Sequence, residues 1–125
     1  MKALISSDKA PTPTAPYSPG LSVGGWVFLS GQGGIDPESG QVVSDDFAEQ
    51  TEQTFRNIEA LLAAAGASLD DVVSCLVHIT DLAQFPALNA IYEQKFPGIK
   101  PVRTTVRADL VGGMLVEVTV IASLG

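Results

Sequence analysis

The chain of 125 residues holds one cysteine, one histidine and one tryptophan. A lone cysteine, Cys75, closes no internal disulfide. One cysteine and one histidine are too few for a Cys/His zinc cluster. A Ser-His-Asp or Cys-His enzyme would have to use His78 or do without histidine. His78 lies in Val72-Val73-Ser74-Cys75-Leu76-Val77-His78-Ile79, a run of β-formers. It reads as a strand histidine at an edge or interface rather than a catalytic base, and Cys75 as a buried small apolar side chain. Positive charge is scarce too. Seven Lys+Arg stand against fourteen Asp+Glu, a net charge of −7, and that balance argues against a nucleic-acid partner. Four of the basic residues, Lys95, Lys100, Arg103 and Arg107, fall close together in sequence. They read either as a seat for a small anion or as solvated surface charge. No apolar run approaches the roughly 18 residues of a membrane helix, and Met1–Asp8 lacks the apolar stretch of a secretory signal. The expected location is therefore cytoplasmic, with no membrane partner.

What is present is 46% hydrophobic residues, enough for one sizeable core, and no repeat, linker or block of like charge. Residues 1–125 are expected to form a single domain. Residues 8–20, rich in proline and polar side chains, read as an extended arm. Gly24-Gly25 precedes a strand near Trp26–Ser30, and Asp36-Pro37-Glu38-Ser39-Gly40 reads as a turn before a short return strand near Gln41–Val43. Asp46 with Glu49 makes a capping-box-like start to a helix whose inward face is Phe47, Thr51, Phe55, Ile58, Leu62 and Ala65, with Gly66 as its stop. A strand over Val72–Ile79 follows. A second helix begins after Thr80-Asp81, with Phe85, Leu88, Tyr92 and Phe96 on its apolar face. Two strands near Val102–Arg107 and Leu115–Ser123 close the chain. The order β-β-α-β-α-β-β implies an α+β fold, a mixed sheet with two helices on one face. The last strand is apolar on both faces, which predicts burial against another copy and hence a homo-oligomer.

Glu117 is the most unusual residue, the one charge after Asp109, in an apolar strand. A carboxylate there needs partners. Arg103, on the preceding strand, offers one. The pair reads either as a stitch in the sheet or in a subunit interface, or as an arginine fork for a carboxylate substrate beside a general acid or base. Ser30-Gly31-Gln32-Gly33-Gly34 lacks the Gly-Lys-Ser/Thr ending of a phosphate loop, so its glycines are expected to allow close backbone approach. Tyr17 reads as an anchor for the arm or a hydroxyl presented to a pocket. Asn89 reads as a solvated or capping amide.

These residues also carry a family resemblance. Ala15-Pro16-Tyr17-Ser18, Val27-Phe28-Leu29-Ser30-Gly31-Gln32, the Gln50-Thr51, Gln53-Thr54 and Asn57-Ile58 pairs, Ala64–Val73 and Thr80-Asp81-Leu82 match in order. Asn89-Ala90-Ile91-Tyr92, Pro101–Val106, Val116-Glu117-Val118 and Ile121-Ala122 complete the match, so that Ala15 to Ala122 resembles the RidA (YjgF) family of reactive-intermediate deaminases. The resemblance implies a chorismate-mutase-like fold and a homotrimer with sites between subunits. It implies hydrolysis of 2-imino and enamine acids, such as 2-iminopropanoate or 2-aminoacrylate, to 2-keto acids and ammonia, with no metal or organic cofactor. By resemblance Arg103 grips the substrate carboxylate and Glu117 positions the water. Tyr17, Ser30, Gly31 and Asn89 line the cleft, and the backbone of Thr105 contributes. The chain departs from the family in having Thr105 where cysteine is common, Val111 where proline is common, Pro19 for a frequent glutamine, and a connection from Arg103 to Glu117 about one residue shorter. Two other functions compete: a non-catalytic protein that binds small carboxylates in the same cleft, and an RNA-directed ribonuclease or translation inhibitor, which the net charge disfavours.

Overall fold

The computed structural model describes all 125 residues. Its elements are β1 (Ala3–Ile5), β2 (Gly20–Val23), β3 (Trp26–Leu29), β4 (Gln32–Gly33), α1 (Phe47–Ala64), β5 (Val72–Ile79), α2 (Phe85–Lys95), β6 (Val102–Arg107) and β7 (Val116–Ser123). The sheet runs β1-β2-β3-β7-β5-β6, with β4 also paired to β7. Only β5 and β6 are parallel. A parallel pair needs a crossover, and α2 supplies it.

Alternation in the strands decides which face meets the helices. Val116, Val118, Val120 and Ala122 of β7 are fully buried, and so are Val77 and Ile79 of β5 and Val27 of β3. They pack with Phe55, Ile58, Leu61 and Leu62 of α1, with Leu88 and Tyr92 of α2, and with Phe96 just after it, in one core. The intervening residues point to the opposite face, which no helix covers. There Phe28, Leu76, Val102 and Val106 stand exposed, with Val102 at 72%.

Helix α1 begins as its sequence indicates. Asp46 accepts a hydrogen bond from the Glu49 backbone N–H at 2.9 Å, a cap whose loss costs about 1 kcal/mol. Gly66, at φ +78°, ends it. The N–H of Ala67 reaches the Leu62 carbonyl and that of Gly66 reaches Ala63, a Schellman closure. On α2, Leu88 and Tyr92 face inward as expected, as does Phe96 just after it, whereas Phe85 stays 40% exposed.

The N-terminal third differs from expectation. Two strands, β1 and β2, precede the one anticipated near residue 26, and the bends between them carry the proline-rich arm. Gly24 (φ +53°) and Gly25 (φ +84°) form a tight two-residue hairpin between β2 and β3. The return strand near Gln41–Val43 shrinks to a single bridge between Ile35 and Val42. Four strands rather than two therefore come before α1, and the anticipated β-β-α-β-α-β-β order is corrected accordingly. The α+β class, with two helices on one face of a mixed sheet, stands.

Candidate functional site

Sheet register sorts the candidate residues into two groups on opposite faces. Arg103 pairs across β5 with Cys75, which pairs with Val120, all on the helix side. Glu117 pairs with His78, which pairs with Val106, all on the open side. Strand β5 also lies between β6 and β7. The anticipated pairing of Arg103 with Glu117 across adjacent strands is therefore corrected, because within one chain the two cannot meet.

Arg103 is held by its own chain. Its Nη2 donates to Asn89 Oδ1 at 2.8 Å. Its guanidinium carbon lies 4.6 Å from the Tyr92 ring centroid and 5.4 Å from that of Phe85. No carboxylate comes within ion-pair distance of it, whereas Lys95 pairs with Glu52 at 2.9 Å and Lys100 with Glu93 at 3.1 Å. Of the basic cluster read from sequence, Lys95 and Lys100 are thus paired with carboxylates and Arg103 and Arg107 are not. Asn89, expected to be a solvated or capping amide, is instead the acceptor that orients this guanidinium. Thr105 lies two residues along the same face, its Oγ1 buried without a partner. Beneath them burial pushes the Cys75 thiol upward, partly offset by the Tyr92 hydroxyl and the Arg103 charge. Burial also drives the Tyr92 phenol far above its usual range, with the Cys75 thiol adding to the shift.

The second group surrounds a cleft of about 570 Å³ whose walls include Tyr17, Ser30, Gly31, Gln32, Met114 and Glu117. The Glu117 carboxyl packs beside Gly31. A Cβ on Gly31 would stand 2.8 Å from its Cδ and 2.9 Å from its Oε1, so only glycine leaves the carboxylate room there. Ser30 fixes the arm that carries Tyr17. Its Oγ donates to the Ser18 carbonyl at 2.6 Å and its N–H donates to the Pro19 carbonyl at 2.9 Å.

Two fully buried amides on α1 hold the glycine loop and the segment before β7, and sequence reasoning assigned them no role. Gln50 donates to the Ser44 and Gly113 carbonyls and accepts from the Leu115 N–H at 2.8 Å. Asn57 donates to the Gly33 and Ile35 carbonyls at 3.1 and 2.9 Å. Gly34 packs so tightly that a Cβ would lie 2.6 Å from the Gln50 Cα. Polar residues on the inward stripe of an amphipathic helix were the available signal, since a buried amide has to find backbone partners. Tyr92 was assigned to the core alone, and its contact with Arg103 follows from a crossover that sequence does not display.

Residues 7–124 match the family described as endoribonuclease L-PSP. A RutC family protein of Pyrococcus abyssi is 43% identical over 122 residues, covering 97% of this chain and 96% of the relative. The 2-iminobutanoate/2-iminopropanoate deaminase of Mus musculus is 36% identical over 126 residues, covering 100% of this chain and 93% of the relative. Among solved structures, Escherichia coli TdcF with bound serine superposes with a TM-score of 0.92 at 32% identity, covering 97% of this chain and 98% of that one.

Proposed function

The chain belongs to the endoribonuclease L-PSP family, the YjgF/RidA proteins, and from that membership we propose that it hydrolyses 2-imino and enamine acids to 2-keto acids and ammonia. The observation that carries the proposal is an arginine kept free of carboxylates and held by an amide and two rings, in a chain whose other candidate, Glu117, faces a cleft.

Because Arg103 and Glu117 lie on opposite faces, the proposed site is assembled between copies. The Arg103 face of one copy meets the open face of the next, and a homotrimer closes the arrangement. The exposed Phe28, Leu76, Val102 and Val106 supply apolar surface for such contact.

The chemistry asks little of the side chains. The carbon of a protonated imine is already electrophilic. Arg103 takes the substrate carboxylate in a bidentate fork and fixes the orientation of that carbon. Glu117 accepts a proton from a water held in the cleft, and the oxygen of that water bonds to the carbon. Glu117 returns that proton to the nitrogen of the resulting tetrahedral carbinolamine and then takes the proton of its hydroxyl as the C–N bond breaks; the C–O bond becomes the carbonyl of the keto acid, and the nitrogen leaves as ammonia, which carries the last proton off Glu117 as ammonium. Tyr17, Ser30 and Gly31 shape the wall opposite, and Asn89 and Thr105 complete the arginine side. No nucleophilic side chain is required, which suits a chain with one histidine and one cysteine.

The test couples a dehydratase that generates 2-aminoacrylate from serine to this protein and follows decay of the imine signal. Acceleration by the wild type and none by Arg103→Ala is the expected result. No acceleration by the folded wild type would remove the deaminase reading and leave binding of small carboxylates as the role of the cleft.

A further inference from the structure

The sole histidine faces the candidate acid directly. His78 and Glu117 are cross-strand partners on the open face, with Nδ1 of the imidazole 3.9 Å from Oε1 of the carboxylate. That nitrogen is buried and has no hydrogen-bond partner. Both side chains are about three-quarters covered, at 26% and 28% exposure.

Within the chain, the surroundings leave Glu117 as the one ionisable group paired with the ring. On β6 the residue opposite is Val106, and alternation turns Arg103 and Arg107 to the other face. On β4, Gln32 and Gly33 bring no charge. No helix covers this side. The carboxylate oxygen nearest the ring, Oε1, is also the one pressed against Gly31. Gly31 and the imidazole therefore both lie on the Oε1 side of the carboxylate.

We propose that His78 is a positioning residue for Glu117: its Nδ1–H donates to Oε1 and fixes which carboxylate oxygen meets the water. A separation of 3.9 Å exceeds a hydrogen bond, and a small rotation of either side chain closes it, as commonly happens when a site takes up its substrate. The kinetic part of this inference rests on the deaminase reading. The proton's location on the ring does not.

Two measurements test it. The chain has one histidine, so ¹⁵N-resolved NMR reads a single imidazole. Free neutral imidazole of histidine favours the proton on Nε2. The wild type is expected to carry it on Nδ1, and Glu117→Ala is expected to return it to Nε2. A wild type protonated on Nε2, or the same tautomer in both proteins, would overturn the pairing. In the coupled assay, His78→Phe keeps a ring but removes the donor, and it is expected to lower kcat about tenfold with KM within about twofold. His78→Asn places an amide N–H near the Nδ1 position and is expected to hold kcat within about threefold of wild type. A kcat for His78→Phe within about twofold of wild type, or equal losses in both variants, would refute the positioning role. Should the wild type show no imine hydrolysis while the tautomer switches on removal of Glu117, the pairing stands and the deaminase reading alone falls.

Discussion

The two halves of the candidate site are built on different principles. The Arg103 half is finished within one chain. An amide oxygen, two aromatic rings and the crossover between β5 and β6 hold the guanidinium in place. Contacts of a cation with ring faces contribute about 0.5–2 kcal/mol each, and they leave the N–H edge of the guanidinium free. The Glu117 half is unfinished. Its carboxylate packs beside Gly31, in a loop that Asn57 of α1 holds through the Gly33 and Ile35 carbonyls, and it lies on a sheet face that no helix covers. On the proposed reading, one half grips the substrate carboxylate and the other supplies the acid. Because the chain separates the two across its own sheet, that reading requires a second copy to complete the site.

The largest expected effect falls on the finished half. Arg103→Ala should reduce turnover at least about a thousandfold, with circular dichroism and oligomeric state unchanged, because the group lost is charge-assisted and bidentate. Arg103→Lys should not restore it, since a point charge cannot reproduce the fork. Persistence of activity in either variant would detach the arginine from the chemistry.

The glycine loop sharpens the contrast between activity and stability. Gly31→Ala should push the Glu117 carboxyl aside, lowering kcat about a hundredfold with little change in the urea midpoint, because the atoms it meets end a flexible side chain. Gly34→Ala meets the backbone of Gln50 instead and should cost about 2–4 kcal/mol of stability. The two substitutions lie three residues apart, and equal effects from both would erase the distinction drawn between them. Gln50→Leu removes three hydrogen bonds at a buried site, and urea unfolding should show a loss of about 2–4 kcal/mol.

Asn89→Ala loosens the arginine without removing it. Its KM should rise about tenfold and kcat should fall less, as steady-state kinetics would show. The smallest effect concerns pH. Cys75 and Tyr92 both hold their protons more tightly in the folded chain than the ordinary values of 9.0 and 10.0. Above about pH 9 the unfolded chain therefore releases protons first, and stability declines as pH rises, being fully retained below that point. Urea midpoints at about pH 8 and about pH 10 should show the decline, with a shallower slope in Cys75→Ala.

Much of this organisation was legible in the sequence where local pattern and final structure agree. Val72–Ile79 and Val102–Arg107 are strands with the expected bounds, and Asp46 caps the helix it was expected to cap. The first two strands escaped notice because Ala3–Ile5 is only three residues long and Gly20 opens the next, too little alternation to register against a proline-rich background. The Gly24-Gly25 pair carries a hairpin signal, but local pattern alone shows the turn and not the short strand before it. The division of the site was hidden for a different reason. Alternation gives the facing of Arg103 within β6 and of Glu117 within β7, but not their relation. That relation depends on β7 inserting between β3 and β5, a long-range pairing with no local signature. The buried Gln50 and Asn57 were visible as polar residues on an apolar stripe, yet what they grip lies some twenty to sixty residues away.

The most direct test of a site shared between copies is subunit complementation. Arg103→Ala and Glu117→Ala proteins, each inactive alone, are mixed in equal amounts, reversibly dissociated and reassembled. If one copy supplies the arginine and its neighbour the acid, random assortment gives about one site in four with both intact, and about a quarter of wild-type turnover returns. A mixture that has demonstrably exchanged subunits and still fails to hydrolyse the imine would contradict the shared cleft.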